Sequence, residues 1–116
     1  ATITKVDSLV ALQHSSRNEV DRQKISNHPN PFNMSTQISY YLEQDSYVLV
    51  EIYNVQGRKI ATLADQHNSQ GEHNVRWDGL NSEGQAVASG MYYYRVNIKN
   101  DNQPEINKVN RMLLLK

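Results

Sequence analysis

From Ser35 onward, hydrophobic and polar positions alternate with a period of two, the pattern of strands that bury one face. Ile38, Tyr40 and Leu42 alternate with Gln37 and Ser39. Val48, Val50 and Ile52 form the next inward set, with Tyr47, Leu49, Glu51 and Tyr53 on the opposite face. Asn54-Val55-Gln56-Gly57 reads as a short hairpin loop in which Gly57 supplies a positive φ. Ile60 and Leu63 continue into a third strand, and a polar loop from Asp65 to Glu72 separates it from His73, Val75 and Trp77. Asp78 to Gly84 is a dense turn signal, and a brief element around Val87 is expected before Gly90. Tyr92, Tyr94, Val96 and Ile98 give the cleanest alternation in the chain, opposed by Tyr93, Arg95, Asn97 and Lys99. Asn100 to Glu105 holds Pro104 and is expected to be a connection. Lys108 to Lys116 forms the last strand; its apolar run Met112-Leu113-Leu114-Leu115 suits a strand covered on both faces or awaiting a partner. No stretch competes as an amphipathic helix. Six strands, or seven with the Val87 element, predict an all-β fold, an antiparallel β-sandwich.

Ala1 to Ser26 follow neither period. Apart from the patch Leu9-Val10-Ala11-Leu12 they are polar and read as a linker, which places the domain at 27–116. The chain opens on Ala1 and shows no signal-peptide apolar core, so it reads as a piece of a larger protein. Its 116 residues suit one domain able to bury a core without metals or disulfides.

Composition narrows the function. Twelve basic residues balance twelve acidic ones, which disfavours a nucleic-acid binder working by bulk charge. No apolar run approaches the roughly 18 residues of a membrane-spanning helix. The absence of cysteine excludes thiolate chemistry and disulfides. Thirteen Asn and nine Gln favour turns over helices. Neutrality also conceals an asymmetry: 95–116 holds five basic residues (Arg95, Lys99, Lys108, Arg111, Lys116) against Asp101 and Glu105.

Chemistry-bearing patterns are sparse. There is no Gly-x-Ser-x-Gly nucleophile turn and no phosphate-cradling glycine loop. His14, His28, His67 and His73 lack metal-ligand spacing, and His73 reads as a hydrogen-bonded structural residue. Glu43, Asp45 and Glu51 sit on a turn and an outward face, where solvated charge is the expectation rather than paired catalytic carboxylates. Asp78, Asn81 and Glu83 gather oxygens in one loop, but Leu80 and Ser82 stand where calcium ligands would fall, so an Asx turn is expected. Tyr47, Tyr53 and Tyr93 point outward by parity and could stack on sugars or simply cover the sheet.

The run Pro29-Asn30-Pro31-Phe32-Asn33, followed by Ser35-Thr36 and Ile38 to Leu42, resembles the opening of the type A C-terminal sorting domain of type IX secretion systems. That family in turn resembles the Ig-like domain of flagellar hook-capping proteins. Further matches follow in the same order: Val50 to Arg58, Trp77-Asp78-Gly79, Gly84, Ala88 to Arg95, and Arg111 to Lys116. Met34 departs from the family, which often has proline there. The resemblance covers about 27–116 and implies an Ig-like sandwich acting as a non-enzymatic address tag.

On that resemblance the partners are secretion machinery at the outer membrane, a sortase-like protease and an N-terminal passenger. The location is secreted or cell-surface, reached through the periplasm, with no cofactor, metal or nucleic acid. Arg111, Met112, Leu113, Leu114, Leu115 and Lys116 are the expected recognition element. Asn30, Pro31, Phe32, Asn33, Gly57, Asp78, Gly79, Gly84 and Gly90 are expected to determine the fold. A last strand at a sheet edge would offer unpaired backbone groups for strand addition, with its basic flank fixing orientation. The alternatives are a glycan-binding or adhesive module of a secreted enzyme and a structural Ig-like domain of a flagellar hook cap.

Overall fold

The computed structural model describes residues 24–116, so the linker expected over 1–26 lies almost wholly outside the described residues. Two antiparallel sheets face each other. One holds β1 (Ser26–His28), β2 (Thr36–Leu42) and β5 (Gly71–Trp77) in the order β1-β2-β5. The other holds β3 (Ser46–Asn54), β4 (Lys59–Asn68), β6 (Gly90–Asn100) and β7 (Gln103–Leu114) in the order β4-β3-β6-β7. The expected all-β, antiparallel sandwich of six to seven strands is therefore the observed one.

The period-two sets meet between the sheets. Ile38, Tyr40 and Leu42 from one side and Val48, Val50, Ile52, Tyr94 and Val96 from the other are almost wholly buried. Burial of this kind, worth about 25 cal/mol per Å² of apolar surface, is the main stabilising contribution. Burial pushes the Tyr94 phenol up to about 12, and its hydroxyl has no hydrogen-bond partner among the described residues.

Several boundaries differ from the sequence reading. The seventh strand is Ser26–His28, paired to β2, and not the Val87 region, where only a Leu80–Ala86 bridge forms. Ile25 just before it is buried, so the folded unit takes in residues ahead of Asn27. The polar stretch expected to be a loop is mostly strand: β4 runs on to Asn68 and β5 begins at Gly71. Here cross-strand pairing to β3 fixes the backbone, whatever the polarity of Gln66, His67 and Asn68. Pro104 likewise lies inside β7 rather than in a connection. It is tolerated because β7 is an edge strand, where a missing N–H breaks no ladder.

Turn chemistry follows the residues. Gly57 adopts φ 83°, and the Asn54 side-chain oxygen accepts from the backbone N–H groups of Gln56 and Arg58, closing the β3–β4 hairpin. In the Asp78–Gly84 loop, Asn81 Oδ1 accepts from the N–H groups of Glu83 and Gln85, and Gly84 turns at φ 79°. That is the expected Asx turn. Asp78 accepts from Arg76 Nε at 2.6 Å. Among the described residues no group of three His, Asp or Glu is placed to hold a metal ion. His73 is fully hydrogen-bonded, Nε2 donating to the Ser69 carbonyl at 2.6 Å and Nδ1 accepting from Asn68 at 3.0 Å, with its ring stacked on Tyr40.

Candidate functional site: a clamp on the last strand

The segments that carry the sequence signal converge at one end of the sandwich. The hydroxyl of buried Thr36 donates to the Pro29 carbonyl at 2.8 Å, anchoring the loop before β2. From there Asn30 to Phe32, with cis bonds at His28–Pro29 and Asn30–Pro31, run alongside β7. Phe32 forms a parallel bridge with Leu114: its N–H donates to the Leu113 carbonyl at 3.0 Å, and its carbonyl accepts from the Leu115 N–H at 2.8 Å. Asn30 Oδ1 accepts from the Leu113 N–H at 3.0 Å, and its Nδ2 donates to the Arg111 carbonyl at 3.4 Å.

Beneath this clamp lies an aromatic cluster. Trp77 packs against Phe32 at 5.7 Å and edge-on against Tyr92 at 5.3 Å between ring centroids. Its indole N–H donates to the Leu80 carbonyl, while the Tyr92 hydroxyl donates to that of Ala88. Gly79 lies directly against Leu114, since a Cβ there would meet its Cδ2 at 3.6 Å. Thus Phe32, Trp77, Gly79, Tyr92 and Leu114, scattered over 83 positions, form one packed unit. Met34, where the sequence departs from the resembled family, is exposed and takes no part in the core.

The clamp corrects one expectation. The last strand does lie at a sheet edge, but from the Arg111 carbonyl to the Leu115 N–H its outward backbone groups are already engaged by Asn30 and Phe32. Strand addition there is blocked. Of the expected recognition residues, Met112 and Leu114 are buried in the core, and Leu113 is half-buried. Arg111, Leu115 and Lys116 reach solvent. Lys116 is also tied back to the loop before β6, its N–H donating to Ser89 Oγ at 3.0 Å and its ammonium to the Val87 carbonyl. The open part of the β7 edge lies earlier. Odd-numbered residues of β7 turn their backbone groups outward, as Leu113 and Leu115 do. Among the described residues, Asn107 and Val109 therefore find no partner for theirs.

A second cluster, on the outer face of the four-stranded sheet, escaped the sequence reading. Glu51, expected to be a solvated outward charge, is only 6% exposed. Its carboxylate accepts from Arg95 at 2.7 Å and from the Tyr53 hydroxyl at 2.8 Å, and pairs with Lys59 at 3.5 Å. Arg95 also lies 5.5 Å over the Tyr53 ring. Burial raises the Glu51 pKa, but the hydrogen bonds from Tyr53 and Arg95 and the charges of Arg95 and Lys59 outweigh it, leaving the carboxyl below its ordinary value. The missed signal was register: Glu51 pairs with Arg95 across β3 and β6, and Tyr53 with Lys59 across β3 and β4.

Several solved structures share this fold. Dimeric latent PorU from Porphyromonas gingivalis matches with a TM-score of 0.66 at 20% identity, over 78% of this chain and 9% of its own. The hook-capping protein FlgD from Xanthomonas campestris matches with a TM-score of 0.56 at 19% identity, over 69% of this chain and 57% of its own. PorZ from Porphyromonas gingivalis, described as an essential bacterial surface component of the type-IX secretion system, matches with a TM-score of 0.52 at 20% identity, over 79% of this chain and 11% of its own. The chain thus spans about a tenth of PorU and PorZ and less than two thirds of FlgD. No curated protein matches it. The model of the FlgD Ig-like domain matches residues 16–102, most of the chain, and this protein belongs to the FlgD Ig-like domain family.

Proposed function

We propose that this is a non-catalytic sorting domain that directs a passenger protein across the outer membrane through a type IX secretion system and on to the cell surface. The observation that carries the reading is the clamp: the Pro29–Asn33 run and the Arg111–Lys116 run, the two ends of the resembled pattern, bond to one another. The fold likeness to PorZ, a surface component of such a system, supports the same setting. With the backbone edge closed, the machinery reads the outward side chains of Arg111, Leu113, Leu115 and Lys116. A sortase-like protease and an N-terminal passenger complete the expected partners.

The test is a fluorescent reporter placed ahead of the 116-residue chain in a bacterium with a type IX system. Surface delivery is expected for the intact chain. Deleting 112–116 would also remove core residues Met112 and Leu114, so the sharper variant is Leu115→Ser with Lys116→Gln, which spares the core. Reporter held in the periplasm by that variant supports recognition by the strand. An intact chain that never reaches the surface sinks the sorting role.

A second reading, a structural Ig-like domain of a flagellar hook cap, is favoured by the family match and by the share of FlgD that the chain covers. It predicts no surface delivery of the reporter and restored hook assembly when the chain replaces the corresponding domain of a hook-cap protein.

A further inference from the structure

The outer face of the four-stranded sheet carries a row of aromatic and basic side chains. Lys59, Tyr53, Tyr93 and Arg111 are register partners in succession across β4, β3, β6 and β7. Strands lie about 4.8 Å apart, so the row spans roughly 14 Å. Arg95 sits one step along β6 on the same face. Lys59 and Arg95 share the single carboxylate of Glu51, and Arg111 adds a further positive charge two strands away. Among the described residues Arg111 forms no ion pair, and it is exposed. Tyr93, between Arg111 and Arg95, is 36% exposed. Of the other acidic residues of this face, Asp65 accepts from Tyr47, while Glu105 accepts from Asn97 and also attracts Arg95, which leaves Arg111 as the cation of this row without an acidic partner among the described residues.

Glu51 gives the cluster its fixed shape. It holds Arg95 and Tyr53 in place through short hydrogen bonds, so part of the ordering cost of binding is already met. We propose that this face binds an anionic saccharide, with a sugar ring against Tyr93 and its carboxylate, sulfate or phosphate group on Arg111, next to Arg95. A tyrosine side chain offers an apolar surface for a pyranose ring, and a guanidinium offers forked donors for an oxyanion. An acidic peptide fits less well, because the backbone edge beside Arg111 is closed by Asn30 and Phe32 and cannot accept a strand. The inference does not depend on the sorting role, since it concerns binding by the isolated chain.

Calorimetry with the full 116-residue chain tests it, using tetragalacturonate, its methyl ester and a chondroitin sulfate hexasaccharide, with poly-L-glutamate as the peptide control. Binding of at least one anionic sugar is expected, weakened tenfold or more by methyl esterification for the galacturonate, by Arg111→Gln and by Tyr93→Ser. Arg111 is exposed with no side-chain bond among the described residues, so its variant should keep the wild-type melting temperature. Equal affinity for poly-L-glutamate, an unchanged affinity in Tyr93→Ser, or no binding to either anionic sugar would overturn the proposal.

Discussion

The two halves of β7 lie in one strand on one sheet edge and yet present opposite surfaces. From Arg111 to Leu115 the edge is closed by Asn30 and Phe32, and alternate side chains sink into the core. Around Asn107 and Val109 the edge has no partner among the described residues, and Val109 is 61% exposed. The halves share β6 as their ladder partner, so sheet pairing does not separate them. What separates them is a loop more than 80 residues earlier in the chain, held in place by Thr36 and Trp77. An open edge invites strand pairing, and polar cover is a common protection against it: Asn107, Lys108 and Asn110 supply that here.

The strongest way to break the contrast is Phe32→Ala. Phe32 is buried against Trp77, and its loss should cost about 3–5 kcal/mol. Urea unfolding measures this. A cost below about 1 kcal/mol would show that the clamp contributes little to the core. Next comes Glu51→Gln, which is expected to destabilise by about 1–3 kcal/mol at neutral pH by weakening charged hydrogen bonds. The wild-type carboxyl titrates below its unfolded value of 4.5. Its contribution is therefore complete above that value and is lost as the pH falls through the folded pKa. The variant should show a flatter fall in melting temperature below pH 4.5 than the wild type; parallel curves would remove Glu51 from the acid response.

Asn30→Ala should cost about 0.5–1.5 kcal/mol, because one side chain serves Leu113 and Arg111 while Phe32 still closes the rest. Chemical denaturation resolves a loss of that size. At the small end, Val109→Thr on the open stretch should change stability by no more than about 0.5 kcal/mol. A larger loss would mean that this half of β7 is covered after all.

Much of the core was legible from alternation alone. Ile38, Val50, Tyr94 and Val96 needed only the period-two pattern, since half-buried strands leave no other choice of face. The clamp was legible as a motif but not as a contact. Nothing local in Asn30-Pro31-Phe32 says that it bonds to Leu113, because the pairing depends on how two sheets stack. The extension of β4 through Gln66 to Asn68 was hidden for a related reason: polar residues in a strand are fixed by the partner strand. Glu51 failed the parity argument most instructively. Parity gave the correct face, but exposure depends on the neighbours across the ladder, and Arg95 and Lys59 close over it.

Amide hydrogen exchange along β7, read residue by residue, tests the divided edge most directly. The amides of Leu113 and Leu115, bonded to Asn30 and Phe32, should exchange only with global unfolding. Those of Asn107 and Val109 should exchange orders of magnitude faster. Similar protection at Val109 and Leu113, or rapid exchange at Leu113, would contradict a last strand closed at one end by the clamp and open in its middle.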